Sequence, residues 1–439
     1  MIKNAAQKII EALGNAINYV VENKADYVKN PSDFSRNRCF GMKRVISTTL
    51  GFSGKSLNKE IFDIGNPATV SAFIQQRNKI NGSAFRKIFE DLTSNIPAPK
   101  KHKGFRLLAI DGSEVNTPYN KESEFYHEGY VNQNGLLTKG NNTVHLHTMY
   151  DLLNKTVVDY KLAPQSVISE QLAAKEMVKA YDGEMAICIF DRGYPSYNLI
   201  EHIIRKPNMD FVMRVSSESF KKIQQLPECT LDVDITSRIT SVSSNHARGG
   251  YDALVSATSP KGKIKKRVSW DFGRRDHEQT IRVVRFQLDN GEYETLVTSL
   301  MDREAFPATC FKELYHLRWG IETSFRELKY NLGAVNFHSR SDEFVKQEIV
   351  AKIIMYNYSM AITMCVALPE MKKRKLSYMV DRTMAIYVCM NLFRGKGNIT
   401  IKNIEAEIQR YLQPIRPGRN DKRNIIPKGF IPFVYRVAA

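Results

Sequence analysis

Residues 315–329 read Tyr-His-Leu-Arg-Trp-Gly-Ile-Glu-Thr-Ser-Phe-Arg-Glu-Leu-Lys. Wound as one helix at ~100° per residue, this stretch puts Tyr315, Arg318, Glu322 and Lys329 on a stripe about 60° wide and ~21 Å long. A carboxylate then stands mid-stripe, flanked by a phenol, a guanidinium and an ammonium. Such a helix can lie along a phosphate backbone and set one metal-binding carboxylate at the scissile bond. The spacing also has a plainer reading. Arg318 with Glu322, and Glu322 with Arg326, are i,i+4 pairs of a solvated face, worth ~0.2–0.5 kcal/mol each. The rest of the chain decides between the two.

Upstream, Arg106-Leu107-Leu108-Ala109-Ile110 is an apolar strand that ends on Asp111-Gly112. Met185–Phe190 is a second apolar run, ending on Asp191 and followed by Arg192-Gly193-Tyr194-Pro195. Continuous apolar runs of this length read as central strands buried on both faces. Between them lie a hairpin near Thr143–Tyr150 and Val157–Leu162 and a helix over Ile168–Tyr181. After them come a short helix, Ser196–Arg205, and a strand, Asp210–Val215. The order is β-β-β-α-β-α-β, which places both aspartates at the carboxyl ends of core strands, where sites of open α/β sheets gather. Alone, each aspartate is equally a turn or an N-cap residue.

Residues 216–300 break this pattern with short strands (Leu231–Ile235, Tyr251–Ala257, Arg267–Phe272, Ile281–Leu288, Glu294–Leu300) and read as an inserted, mostly-β subdomain. Its turns carry Lys261, Lys263, Lys265, Lys266, Arg267, Arg274 and Arg275, a solubility device or a track for DNA. Pro307–Tyr330 follows as the long helix carrying Glu322. Residues 1–100 read as helices, with Ala68–Lys79 in the middle of a helix-turn-helix-like run. Gln76 and Arg77 on that helix are residue types that reach base edges and phosphates. Pro97–Lys103 is a basic linker. The segment after 365 is helical and basic, ending in an arm over Arg416–Arg423.

The balance of 64 Lys+Arg against 46 Asp+Glu gives a net charge of +18 in 439 residues, which points to a polyanionic partner, most simply nucleic acid. The most apolar stretch, Ile349–Leu368, is interrupted by Lys352, Asn357 and Ser359 and reads as a buried core helix, not a membrane span. The N-terminus has no signal-peptide pattern. Six scattered cysteines without a Cys-x-x-Cys argue against a zinc ribbon and fit reduced thiols in a cytosolic protein. His145 and His147 alternate on a strand, but no third spaced ligand accompanies them, and they read as structural or surface residues.

Asp111, Asp191 and Glu322 now form a set of three carboxylates, two from strand ends and one from a helix returning to the same sheet. Hard oxygen ligands of this kind can hold two Mg²⁺ ions. One ion then activates an attacking water or 3′-hydroxyl and the other stabilises the leaving oxygen.

Tyr315-x2-Arg318-x3-Glu322-x6-Lys329 resembles, position for position, the Tyr-Arg-Glu-Lys signature of the insertion-sequence-four family of DDE transposases. Asp111-Gly112-Ser113 resembles their first aspartate motif, and Asp191-Arg192-Gly193-Tyr194 their second. The resemblance spans roughly 104–330. It implies an α/β fold: an RNase H-like catalytic core (104–215 and 301–365) interrupted by a β-rich insertion (216–300). Around it stand a helical DNA-end-binding domain (1–100) and a helical, basic C-terminal region (366–439). It implies that Asp111, Asp191 and Glu322 bind two Mg²⁺ ions, with Mn²⁺ able to substitute. Tyr315, Arg318 and Lys329 would contact transposon-end phosphates, with Arg192 and Tyr194 as further DNA contacts. The implied activity is cleavage at insertion-sequence ends through a DNA hairpin and joining of the 3′-OH to target DNA. The implied partners are terminal inverted repeats, target DNA and a second copy of the chain in a homodimer, on the bacterial nucleoid in the cytoplasm and without a membrane. Some members stack a flipped base on an insertion-domain tryptophan. Here the corresponding place holds Tyr293, while Trp319 reads as core packing. A nuclease that cuts without joining, or a DNA-binding repressor that keeps the fold without the chemistry, are the alternatives.

Overall fold

In the computed structural model of the chain, the residues described are 2–65, 68–129, 140–164, 169–216, 219–256, 268–273, 275–369 and 376–416. The basic turn Lys261–Arg267, Arg274, the run Lys372–Lys375 and the arm beyond Arg416 lie outside them.

The chain opens with helices α1 (Ile2–Glu22), α2 (Met42–Leu50), α3 (Leu57–Asp63), α4 (Val70–Arg77) and α5 (Gly82–Ser94). An α/β unit follows: β1 (Arg106–Thr117), β2 (Tyr126–His127), β3 (Asn141–Asp151), β4 (Thr156–Pro164), α6 (Glu170–Ala180), β5 (Ala186–Phe190), α7 (Tyr197–Ile204) and β6 (Met209–Val215). Next come α8 (Lys221–Gln224), β7 (Leu231–Thr240), α9 (Ser243–Ala247), β8 (Ala253–Ser256), β9 (Val268–Ser269), β10 (Asp276–Gln287) and β11 (Tyr293–Thr298). The last third holds α10 (Cys310–His316), α11 (Trp319–Arg326), α12 (Asp342–Met364), β12 (Tyr378–Val380), α13 (Arg382–Arg394), α14 (Ile404–Gln409) and β13 (Leu412–Pro414).

The central strands run β4-β3-β1-β5-β6. β4, β3 and β1 are mutually antiparallel, and β5 lies parallel between β1 and β6. This is the strand order of an RNase H-like core, with α6 and α7 on one face and the helices after residue 310 on the other. All five residues of β5 are buried, as a strand covered on both faces requires.

The β-rich stretch does not fold away as a separate subdomain. β11 pairs antiparallel with β6, from Thr295↔Val215 to Thr298↔Val212, and the sheet continues through β10, β7, β8 and β9. Without β11, β6 would present a row of unpaired backbone donors and acceptors at an open edge. The insertion closes that edge and extends the core sheet.

α12 is buried over nearly its whole length, with Ile349, Ile353, Ile354 and Met355 at its centre, so it has no solvated face of its own. It supports both halves of the molecule. Asn357 accepts from Val157 N and donates to Val157 O, each at 2.7 Å, which satisfies backbone groups of β4, a strand that pairs only with β3. The same apolar core takes in Ile9 and Leu13 of α1, Phe85 and Leu92 of α5 and Ile386 of α13. None of the helices among the described residues is long and apolar enough to cross a membrane.

Candidate active site

β1 does not stop at Ile110 but runs on to Thr117, so Asp111 lies within a strand and not at its end. Its position is set by the neighbours. Pairing with β5 ends at Ala109↔Ile189, while antiparallel pairing with β3 continues through Asp111↔Thr148 to Thr117↔Asn142. Asp111 therefore emerges where the parallel half of the sheet finishes. Asp191 follows Phe190, the last residue of β5, and reaches the same edge. Strand alternation puts Asp111 on the face of Leu107 and Ala109, and Asp191 on the face of Ile187 and Ile189. Those four apolar residues share a core with Tyr315, Ile321 and Phe325, so both aspartates face the Glu322 helix.

That helix is not continuous over 315–329. Arg318 N bonds to Tyr315 O, Gly320 N to Leu317 O and Ile321 N to Arg318 O, a tightened turn between α10 and α11. Residues Glu327–Asn331 then form a π-turn, with Leu332 N bonded to Glu327 O. The first turn overwinds the backbone and the second underwinds it, and although the straight-helix geometry fails, Tyr315, Arg318 and Glu322 still meet the two aspartates. Gly320 lies in the tight turn, where a Cβ would stand 3.1 Å from Leu152 Cδ2 and push that side chain by a few tenths of an ångström.

Tyr315 donates its hydroxyl to Asp191 Oδ1 at 3.1 Å. Arg318 donates from Nη2 to Glu322 Oε1 at 2.8 Å and sets Nη1 3.6 Å from Asp111 Oδ2. One guanidinium thus spans two of the three carboxylates while only 5% exposed, and its Nε is buried without a partner. Burial, with Glu170 and Asp191 nearby, pushes the Asp111 carboxyl up to about 6, against the opposing pull of the Gly112 N–H and Arg318. Burial raises the Tyr315 phenol and lowers the Lys329 ammonium. The acid that Lys329 feels is Glu114 on β1. The site is short of positive charge.

Other expected residues fall elsewhere. Gln76 and Arg77 do not face nucleic acid in this structure. Both are buried, and Arg77 donates to Gln347 Oε1, Glu348 Oε1 and Phe344 O on α12 at 3.0, 2.8 and 2.8 Å. A polar helix face that looked free in sequence is an internal joint. Tyr194 is also buried, against Phe190, with its hydroxyl turned inward among the carboxylates, so it is no surface contact. Trp319, read as core, is 54% exposed, with the Arg318 guanidinium 5.2 Å from its ring; Trp270 is the buried tryptophan. Arg192 is exposed. It lines a cavity of ≈ 500 Å³ with Tyr293, Arg214, Arg285 and Glu294. Glu294 feels both Asp191 and Arg318, so this cavity opens beside the carboxylates. Arg214 and Glu170 escaped the sequence reading. For Glu170 the available signal was the helix-start pattern Ser169-Glu170-Gln171.

Among the described residues, no three His, Cys, Asp or Glu side chains form a group that could hold a metal ion as they stand. The donor chemistry nevertheless suits a hard divalent cation: three carboxylates, one of them poorly solvated, with an arginine supplying the counter-charge that an ion would supply. Turning Arg318 away from Asp111 and Glu322 frees both carboxylates.

Comparison with known proteins gives three results. The family described as "Transposase DDE domain" matches residues 102–358. A transposase of Escherichia coli (strain K12), InsG for insertion sequence element IS4, is 24% identical over 298 residues, covering 65% of this chain and 59% of that protein. The chain thus spans less than two thirds of that relative's length. A cryo-EM structure of the piggyBac transposase synaptic complex with hairpin DNA aligns with a TM-score of 0.43 at 11% identity, over 95% of this chain and 84% of that one. A likeness at that score carries no weight for fold or chemistry.

Proposed function

The chain belongs to the transposase DDE-domain family, and from that premise we propose that it cuts DNA at insertion-sequence ends and joins the freed 3′-OH to target DNA. The observation that carries the proposal is the convergence of Asp111, Asp191 and Glu322 at one sheet edge through Tyr315 and Arg318. These carboxylates would hold two Mg²⁺ ions, with Mn²⁺ as a substitute. When bound, two such ions lower the pKa of an attacking water or 3′-hydroxyl and neutralise charge on the leaving oxygen.

The chain's own side chains do the rest. Tyr315 holds the Asp191 carboxylate in one orientation. Arg318, released from Asp111 and Glu322, turns its guanidinium to a backbone phosphate, a planar fork suited to that partner. Lys329 and Arg192 neutralise neighbouring phosphates, and Tyr293 offers a stacking face at the cavity beside Asp191. In the cut, a P–O bond to the 3′-oxygen breaks and water supplies the new bond. In the joining step, the 3′-oxygen displaces another 3′-oxygen at a target phosphate, one phosphodiester for another, so no external energy source is needed. A hairpin intermediate, recognition of the terminal inverted repeat by residues 1–100, and pairing of two copies on DNA in the bacterial cytoplasm belong to the same proposal.

The test is incubation of purified protein with Mg²⁺ and labelled DNA carrying the element's own end. Wild type should cleave and join, and Asp191→Asn and Glu322→Gln should each lose about 10³-fold or more in rate, equivalent to ~4 kcal/mol. Cleavage without joining would make the protein a nuclease. Salt-sensitive binding with no chemistry from any variant would make it a repressor.

A further inference from the structure

A fourth carboxylate stands behind the two aspartates. Ser169 caps α6, its hydroxyl accepting from Leu172 N at 3.2 Å, and Gln171 Nε2 donates to Gly193 O at 3.0 Å. The first turn of α6 is thereby tied to the loop that follows Asp191, with Glu170 next in sequence to both anchors. A Cβ built on Gly112 would stand 3.4 Å from Glu170 Oε1, and one on Gly193 3.5 Å from Glu170 Oε2. One carboxylate therefore lays an oxygen within van der Waals reach of the glycine of each aspartate motif.

The same point over Gly112 is approached by His147 Nδ1, at 3.0 Å. His147 pairs with Gly112 across β1 and β3, is 1% exposed, and has no partner for either ring nitrogen. A buried polar group left without a partner is destabilising, so an imidazole unbonded at both ends calls for a ligand. The Tyr194 hydroxyl is also buried and unbonded, and the acids it feels are Asp111, Glu170 and Asp191. Asp111 in turn feels the charge of Glu170 more than that of Asp191. Glu170 thus belongs to the electrostatic unit of the site, although it comes from the opposite face of the sheet.

We propose that Glu170 and His147 form a further divalent-cation subsite beside Asp111, on the face of the sheet opposite Glu322, with Glu170 as the anionic ligand and His147 Nδ1 as the nitrogen ligand. The transposase reading is needed here only for the ions that the other three carboxylates take up. A nitrogen ligand favours Mn²⁺ over Mg²⁺, since imidazole suits transition metals better than alkaline-earth ions. The cation would also satisfy His147 Nδ1, which is buried without a partner.

The experiment is a calorimetric titration of the full-length protein with MnCl₂ and with MgCl₂ in the absence of DNA. Melting curves serve as a fold check on every variant. Glu170→Gln, exposed and isosteric, should weaken one class of Mn²⁺ sites by about tenfold to a hundredfold. His147→Gln should narrow the preference for Mn²⁺ over Mg²⁺ at that class. Asp191→Asn should affect a different class. The subsite is overturned if Glu170→Gln and His147→Gln titrate like wild type while Asp191→Asn loses sites, which leaves the transposase reading intact. Wild-type protein that binds no Mn²⁺ overturns both.

Discussion

At the joint between α4 and α12, Arg77 meets Gln347, Glu348 and the Phe344 carbonyl. His338 sets Nδ1 3.0 Å from Glu348 Oε2 and Nε2 2.9 Å from Lys55 O. Glu60 accepts from Ser53 N, Ser53 Oγ and Lys55 N. The carboxyls of Glu60 and Glu348 are held down to about 2 despite burial, because donors surround them. At the sheet edge, similar residue types end in the opposite state. One arginine is shared between two acids, its Nε is unbonded, and Asp111 is pushed up to about 6. The first cluster is complete within the protein. The second is short of cations, and a charge deficit in a partly buried site is what a metal ion and a phosphate-binding arginine require. Burial of charge therefore says little until the donors are counted.

Removing one partner from the closed cluster should have the largest effect. Arg77→Ala leaves Glu348 buried without its main counter-charge, and urea unfolding should show a loss of about 3–5 kcal/mol. A loss below about 1 kcal/mol would mean that the joint is no tighter than a surface pair. Next comes Asp111→Asn, which should stabilise the metal-free protein by about 1–3 kcal/mol at pH 7.5. The sign follows from the shift. Because the folded carboxyl lies above its ordinary 3.8, ionising it costs folded protein; that cost is absent below 3.8, grows as pH rises, and is full above about 6. The gain should therefore shrink towards zero by pH 4 in the same unfolding experiment. Glu60 and Glu348 run the other way: their contribution is complete above the ordinary 4.5 and lost as pH falls through about 2. Smallest is Tyr315→Phe, which removes only the hydrogen bond to Asp191. Stability should change by about 1 kcal/mol or less, while single-turnover cleavage slows about fivefold to tenfold as the carboxylate loses its orientation.

The same contrast explains what the sequence could reveal. β5 was legible because five consecutive apolar residues leave few other readings, and the placement of Asp191 followed from it. The convergence of Asp111 and Glu322 needed only the order of elements and the Tyr-Arg-Glu-Lys spacing. The closed cluster was not legible: Gln76 and Arg77 look solvated on α4, and the partner of Arg77, Gln347, is 270 residues away. Trp319 was misplaced because a large aromatic beside the catalytic stripe was read as core packing, whereas it is 54% exposed. The continuity of β6 with β11 was hidden because strand patterns reveal alternation but not neighbours. Glu170 was missed because an acid in the first turn of a helix has an ordinary capping role and its nearness to both aspartate motifs depends on the fold.

The distance along the chain between Arg77 and Gln347 has a consequence for biosynthesis. At roughly 5–20 residues per second, a ribosome takes on the order of 15–55 s to make the intervening chain. Through that interval the buried faces of α1, α4 and α5 lack α12, and both strand aspartates exist without Glu322. Until α10 and α11 are made, a growing chain therefore holds Asp111 and Asp191 without the Tyr315, Arg318 and Glu322 that complete their cluster. The order of synthesis itself leaves the site incomplete until residue 322 has been added.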